Sequence, residues 1–193
     1  MVNIALLGEP GSGKTSISTA YIDLVGGKIM SFKDAMLLEM AWALAAADAQ
    51  DHISRNPFAS KQLVKHYYTE MQNPATKDKY RALQQAFGTE YRRAQDENYW
   101  VKRFAQVFEN RPSNTPVIVD DCRFPNEYKA LRNLGFKFVR LEPGDTTRPL
   151  EGEAAKHESE MYWRKFKTDL VLSYELGPEN QARRMLAALT EEK

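Results

Sequence analysis

Eight residues near the N-terminus carry the densest chemical signal: Gly8-Glu-Pro-Gly-Ser-Gly-Lys14-Thr15. Glycines at 8, 11 and 13 allow backbone N–H groups to turn inward around an anion. A helix that starts at Lys14 adds the positive end of its dipole. The spacing is G-x-x-x-x-G-K-[ST], the phosphate loop of nucleoside triphosphate sites. In that reading Gly8, Gly11, Ser12, Gly13, Lys14 and Thr15 hold the phosphates of ATP. Lys14 bridges the β- and γ-phosphates as a catalytic cation, and the Thr15 hydroxyl is a ligand for Mg²⁺. A chance glycine-rich turn is the plain alternative. The apolar run Val2–Leu7 before the loop and the helical pattern after it argue against chance.

A second stretch, Val117-Ile-Val-Asp-Asp-Cys-Arg-Phe-Pro-Asn-Glu127, has the form of a buried strand ending in acid. Such a carboxylate can hold Mg²⁺ or its water shell opposite Thr15, and Asp120 is the candidate. Neighbouring strand residues point to opposite faces, so Asp121 should have another task, orienting Arg123 or touching the acceptor. Arg123 has the planar fork that suits a phosphate. An acidic turn with Asp121 or Asn126 capping a helix is the structural alternative. Cys122 reads as buried filler, because phosphoryl transfer needs no thiol.

These groups need a scaffold. Short apolar runs at Val2–Leu7, Lys28–Phe32, Pro116–Asp120, Phe136–Leu141 and Leu170–Ser173 read as strands. Helical patterns fall between them, over Lys14–Val25, Asp34–Asp48, Pro125–Leu134 and from Pro178 onward. Alternating strands and helices predict a three-layer α/β fold with a mainly parallel sheet and ligands at the strands' carboxyl ends. The region 56–114 differs. Its aromatic and apolar residues recur at helical spacing, as in Leu83, Phe87, Tyr91 and then Trp100, Phe104, Phe108, which predicts an insertion of about three helices. The chain then reads as one domain: a core of 1–55 and 115–193, the insertion 56–114, and a polar loop at about 143–157.

Composition narrows the partners. A formal net charge of +1 and the lack of a basic arm speak against a long nucleic acid. No apolar stretch is long enough for a membrane span, and the N-terminus lacks the basic region of a signal peptide. One cysteine excludes a disulfide within the chain and fits a reducing cytoplasm.

In motif order the chain resembles the deoxynucleoside monophosphate kinases of tailed bacteriophages. The elements that carry the likeness are the loop; Ser31-Phe-Lys-Asp34; Leu83-Gln-Gln-Ala-Phe-Gly-Thr-Glu90 with Arg92, Asp96 and Trp100; Asp121-Cys-Arg-Phe-Pro-Asn-Glu127; and His157-Glu-Ser-Glu160. The resemblance implies a P-loop kinase fold with a parallel central sheet, a helical NMP-binding insertion and a mobile lid. It implies transfer from ATP, with Mg²⁺, to a deoxynucleoside monophosphate in the cytoplasm, the host's if the chain is phage-encoded. A homodimer is compatible with it.

Site roles follow from the same likeness. Lys33, Gln84, Arg92, Trp100, Arg123, Asn126 and Glu127 are the expected acceptor contacts, with Arg92 and Arg123 on the phosphate and Gln84 on the base edge. The bland alternatives are a surface lysine for Lys33 and an apolar core for Trp100. Arg148, in the lid, is either an arginine finger or a solvated side chain. The family's last strand ends near an Asn-Asp-Gly-like turn, whereas this chain reads Ser173-Tyr-Glu-Leu-Gly177, which bears on donor selectivity. Two other readings use the same parts: a kinase for another small phosphorylated metabolite, and a nucleic-acid-linked ATPase.

Overall fold

A computed structural model describes residues 2–9, 11–51, 57–142, 162–173 and 177–190. The described chain forms five strands and seven α-helices: β1 Ile4–Leu7, α1 Lys14–Val25, β2 Lys28–Met30, α2 Phe32–Asp51, α3 Pro57–Glu70, α4 Arg81–Gln85, α5 Tyr99–Glu109, β3 Val117–Val119, α6 Pro125–Asn133, β4 Lys137–Glu142, β5 Leu170–Ser173 and α7 Gly177–Thr190. It divides into two compact units, residues 1–31 with 107–193 and residues 32–106.

The first unit is built on one parallel sheet in the order β2-β3-β1-β4-β5. Its central strands β1 and β3 are short apolar runs buried throughout, while the edge strands β2 and β5 are partly exposed. Alternation along them sorts the two sides. Ile4, Leu6, Val139, Leu141 and Leu172 pack with Ile17 and Tyr21 of α1 and with Ala182, Met185 and Leu189 of α7. Phe138 points the other way, its ring 4.6 Å from Tyr128 of α6. Arg132 ties that face to the approach of β5: its guanidinium lies 4.5 Å from the Phe138 ring and pairs with Asp169 at 2.6 Å. The result is the three-layer α/β architecture that the alternation of elements predicts. β3 lies between β1 and β2, so the turn after β1 and the end of β3 open side by side at the carboxyl edge of the sheet.

The second unit is helical. Leu37, Met40, Ala41 and Ala45 of α2 pack against Val64 of α3 and Met71 just beyond it. Two boundaries differ from the sequence reading here: β2 stops at Met30, and α2 begins at Phe32. Phe32 is 4% exposed and its ring lies 4.5 Å from Phe104, so this aromatic serves the helical unit's core rather than a strand. After α4 the chain continues as a π-helix, Ala86–Arg93, which the helical spacing did not announce. Gly88 lies within it and meets α2: a β-carbon there would stand 2.5 Å from Met36 Sδ. The indole N–H of Trp100 donates to the Gly88 carbonyl at 2.9 Å.

Among the described residues no helix is long and apolar enough to cross a membrane. The polar loop at 143–157, with Arg148, lies outside the described residues, as do His157, Ser159 and residues 174–176.

Candidate phosphate-binding site

The glycine loop joins β1 to α1. Gly8 is wholly enclosed: a β-carbon there would lie 2.9 Å from Ser12 Oγ and 3.2 Å from the Leu141 carbonyl. Only glycine permits that approach, and the tight seat brings the loop down onto the strand ends. Gly11 and Gly13 follow with φ of 80° and 76°, the left-handed region that bends the loop into a cradle. Gly13 is also the N-cap of α1, so the helix's first N–H groups open directly into the loop.

Lys14 folds back across this cradle. Its Nζ donates to the Gly8 carbonyl at 2.8 Å and to the Glu9 carbonyl at 2.6 Å. Its pKa is lowered from 10.5 to about 8, first by burial and then by the nearby Arg123 guanidinium, against the opposing pull of Asp120 and Glu9. Two cations are therefore held close enough to disfavour one another. A bound polyanion relieves both that repulsion and the desolvation of Lys14.

The adjacent carboxylates at the end of β3 part company. Asp120 Oδ2 accepts the Thr15 hydroxyl at 2.8 Å. Asp121 Oδ2 accepts the Ser31 hydroxyl at 2.5 Å. Thr15 and Asp120 together offer two hard oxygen donors at one place. That donor set fits Mg²⁺, which keeps most of its water and takes one or two protein oxygens plus phosphate. When bound there, the ion would neutralise charge on the phosphate oxygens.

Arg123 is set by its own helix. The Glu127 carboxylate is 2% exposed and accepts the backbone N–H groups of Arg123 at 2.8 Å and Phe124 at 3.1 Å. This return contact from the third helical residue closes the start of α6 and fixes the turn that carries Arg123. Asn126 Oδ1 accepts the Glu127 N–H at 3.0 Å. Both residues of the motif thus have backbone work at this turn. Cys122 is buried, and burial together with Glu127 and Asp121 pushes its thiol well up, which fits the packing role expected of it.

A second polar group lies inside the helical unit. Glu39 Oε1 accepts the Tyr99 hydroxyl at 2.5 Å and pairs with Arg92 Nη2 at 3.2 Å. The hydrogen bond to Glu39, with burial, raises the Tyr99 phenol above its ordinary value. The Arg92 guanidinium stands 5.4, 5.3 and 4.9 Å from the ring centres of Phe87, Tyr91 and Tyr99. Glu39 Oε2, Arg92 Nε and Gln84 Nε2 are buried without a hydrogen-bond partner. Glu39 and Tyr99 were not among the residues the sequence singled out; no local motif links positions 60 residues apart. Trp100 is 3% exposed with its N–H engaged, the core role its spacing also allowed. Lys33 is exposed in the first turn of α2.

One contact escaped the sequence reading altogether. Arg164, in the short 3₁₀ turn Trp163–Lys165, pairs with the carboxylate of loop residue Glu9.

No family model matches the sequence, and no curated protein matches it. Among solved structures, an unliganded sugar kinase from Janibacter sp. HTCC2649 aligns with TM-score 0.48 and 17% identity, over 98% of this chain and 95% of that one. A gluconokinase from Sinorhizobium meliloti 1021 aligns with TM-score 0.41 and 16% identity, over 98% and 92%. The parallel sheet, the glycine loop after its first strand and the acid at the end of the adjoining strand define an α/β fold of the P-loop type.

Proposed function

We propose that this protein is a P-loop kinase that transfers the γ-phosphoryl group of ATP to a small phosphorylated acceptor, a deoxynucleoside monophosphate first among them. The observation that carries the reading is the pairing of Lys14 with Arg123. The loop and Lys14 account for a donor triphosphate. Arg123 is a further cation from a different element, and it stands near enough to depress Lys14. An extra cation beside the loop lysine suits a second phosphate-bearing molecule.

In this reading Thr15 and Asp120 hold Mg²⁺, Lys14 spans the donor phosphates, and Arg123 steadies the acceptor phosphate. Asp121, bonded to Ser31, keeps the strand end in place. The motif resemblance assigns acceptor contacts to Gln84 on the base edge and to Arg92 and Lys33 as further cations. The motif resemblance to phage deoxynucleoside monophosphate kinases supports the same acceptor. The residues 56–114 are proposed as its NMP-binding insertion and 143–157 as its lid, with Arg148 there as a candidate finger.

The second reading is a kinase for another phosphorylated metabolite, because the Lys14–Arg123 pair would serve any phosphate-bearing acceptor. One assay separates the two. The protein is incubated with ATP, Mg²⁺ and single acceptors: each deoxynucleotide and ribonucleotide monophosphate, then a panel of phosphorylated metabolites. Formation of a deoxynucleoside diphosphate, lost in Lys14→Ala, is expected. Turnover only with a non-nucleotide moves the assignment to the second reading. ATP hydrolysis stimulated by DNA, with no acceptor phosphorylated, overturns both.

A further inference from the structure

We propose that the turn between α5 and β3 holds a second anion site, in which Arg111 binds a small organic carboxylate or phosphate at the edge of the sheet opposite the phosphate loop. The proposal goes beyond the kinase reading and uses neither the triphosphate loop nor the identity of the acceptor.

The turn reads Arg111-Pro-Ser-Asn-Thr-Pro116, and the Thr115 N–H closes it on the Pro112 carbonyl at 3.0 Å. A cavity of about 280 Å³ lies against it, lined by Asn3, Arg111, Ser113, Asn114, Thr115 and Pro116. Asn3 directly precedes β1 and Pro116 directly precedes β3, so the cavity opens at the amino edge of the sheet. Gly8 and Asp120 follow the same two strands, about 13–16 Å away at about 3.3 Å per residue. The floor is fixed by four strands. Asn3 Oδ1 accepts the Val117 N–H at 3.0 Å, and the Asn3 carbonyl accepts the Lys137 N–H at 2.9 Å. The Pro116 carbonyl accepts the Lys28 N–H at 2.9 Å.

Arg111 is the one charged residue of the lining, and no acid lines the cavity with it. Its Nη1 donates to the Phe108 carbonyl at 2.7 Å and its Nε to the Thr115 carbonyl at 3.3 Å. The guanidinium carbon lies 3.4 Å from the ring centre of Phe108, which is 5% exposed. These partners orient the cation and are all neutral. Among the described residues no carboxylate pairs with it, and Nη2 is left to donate to a ligand. A part-buried arginine is ordinarily paired with an anion. The hydroxyls of Ser113 and Thr115 and the amide of Asn114 add donors around it. A fixed guanidinium with neutral donors beside it suits a carboxylate or a phosphate and disfavours a cation. Liquid water takes about 30 Å³ a molecule, so the cavity has room for a small organic anion.

The test titrates the full chain and reads its backbone amides by NMR. Glycerol 3-phosphate is the phosphate probe, succinate the carboxylate probe and glycerol the neutral control. Saturable shifts at Asn3, Arg111, Ser113, Asn114 and Thr115 are expected with one anion or both, and none with glycerol. The probe that saturates more tightly identifies the head group. Arg111→Gln should weaken that probe at least about tenfold, and Arg111→Lys should recover part of the loss. Arg111 also ties the turn to α5, so a second pair of variants guards against a merely loosened turn. Ser113 and Asn114 are exposed, and their replacement leaves the packing alone. Ser113→Ala and Asn114→Ala should each weaken the probe about two- to tenfold.

Shifts that never saturate, equal shifts with glycerol, or an affinity unchanged in Arg111→Gln overturn the proposal. So does a loss in Arg111→Gln with no effect of either exposed substitution. The amides of Gly11–Thr15 report the phosphate loop in the same spectra. Saturation at the turn in a chain that binds no nucleotide sustains this site while the kinase reading fails. Nucleotide bound at the loop with no saturation at the turn does the reverse.

Discussion

Raising the pH should weaken nucleotide binding through one residue, Lys14. In the free protein its pKa lies at about 8, depressed first by burial and then by Arg123. At pH 7 about nine-tenths of the lysines carry a proton, and at pH 9 about one-tenth do. Bound phosphates favour the charged form, so the pKa must rise when nucleotide arrives. Above pH 8 binding therefore takes up a proton, close to 0.9 per site at pH 9, whereas at pH 7 it takes up about 0.1. If the bound lysine stays charged throughout, the dissociation constant grows about tenfold from pH 7 to pH 9, equivalent to about 1.4 kcal/mol. Phosphate, with its second ionisation near pH 6, contributes at most about 0.1 proton at pH 7 and almost none at pH 9, where the lysine signal is read. Calorimetry in two buffers of different ionisation enthalpy reads the proton count directly. EDTA keeps divalent ions out, so that no metal beside Thr15 shifts the lysine. Lys14→Arg should bind with no proton uptake at either pH. Zero uptake at pH 9 in the wild type, or the same uptake in Lys14→Arg, would refute the argument that Lys14 is held beside Arg123 at the cost of its charge.

Three further outcomes follow from named contacts. Asp120→Asn should remove most of the gain in ATP affinity that Mg²⁺ provides, while Asp121→Asn should leave that gain in place, because only Asp120 faces Thr15; titration with and without Mg²⁺ decides. Glu127→Ala strips two backbone N–H groups of their acceptor at a buried helix start, and the urea midpoint should fall by the equivalent of about 1–3 kcal/mol. Trp100→Phe keeps most of the apolar volume but leaves the Gly88 carbonyl without its donor; a loss of about 1–3 kcal/mol is expected, with ADP affinity unchanged.

What the sequence made legible was local. The loop carries its motif in eight consecutive residues, and the strand before it is a plain apolar run. α1 spans Lys14–Val25 as read, between Gly13 and Gly26, because glycine punctuates both ends. The closing turn of α6 was legible in Gly135 for the same reason. What stayed hidden depended on partners far along the chain. The π-helix Ala86–Arg93 keeps the i, i+4 apolar spacing of an α-helix, and what marks it is Gly88 seated on Met36. Glu39 carries no motif; it is defined by Tyr99 and Arg92. Arg164 gained meaning only through Glu9.

The paired aspartates show how order in the sheet turns a local pattern into a site. Alternation along a strand requires Asp120 and Asp121 to point apart, but it does not say toward what. Had β3 been an edge strand, one of the two carboxylates would have faced solvent. Instead β3 pairs with β1 through Ile4–Ile118 and with β2 through Lys28–Val117, so its end is flanked on both sides. The chain leaving β1 supplies Thr15, and the chain leaving β2 supplies Ser31. Each aspartate therefore meets a hydroxyl, 2.8 Å away on one flank and 2.5 Å away on the other. The two hydroxyls are not equivalent. Thr15 directly follows the phosphate lysine and opens α1, where an anion is drawn by the helix dipole. Ser31 directly precedes α2 and has no such loop. In the proposed reading, the asymmetry of the flanking turns favours Asp120 for the metal, with Asp121 bonded to Ser31 at the end of β2.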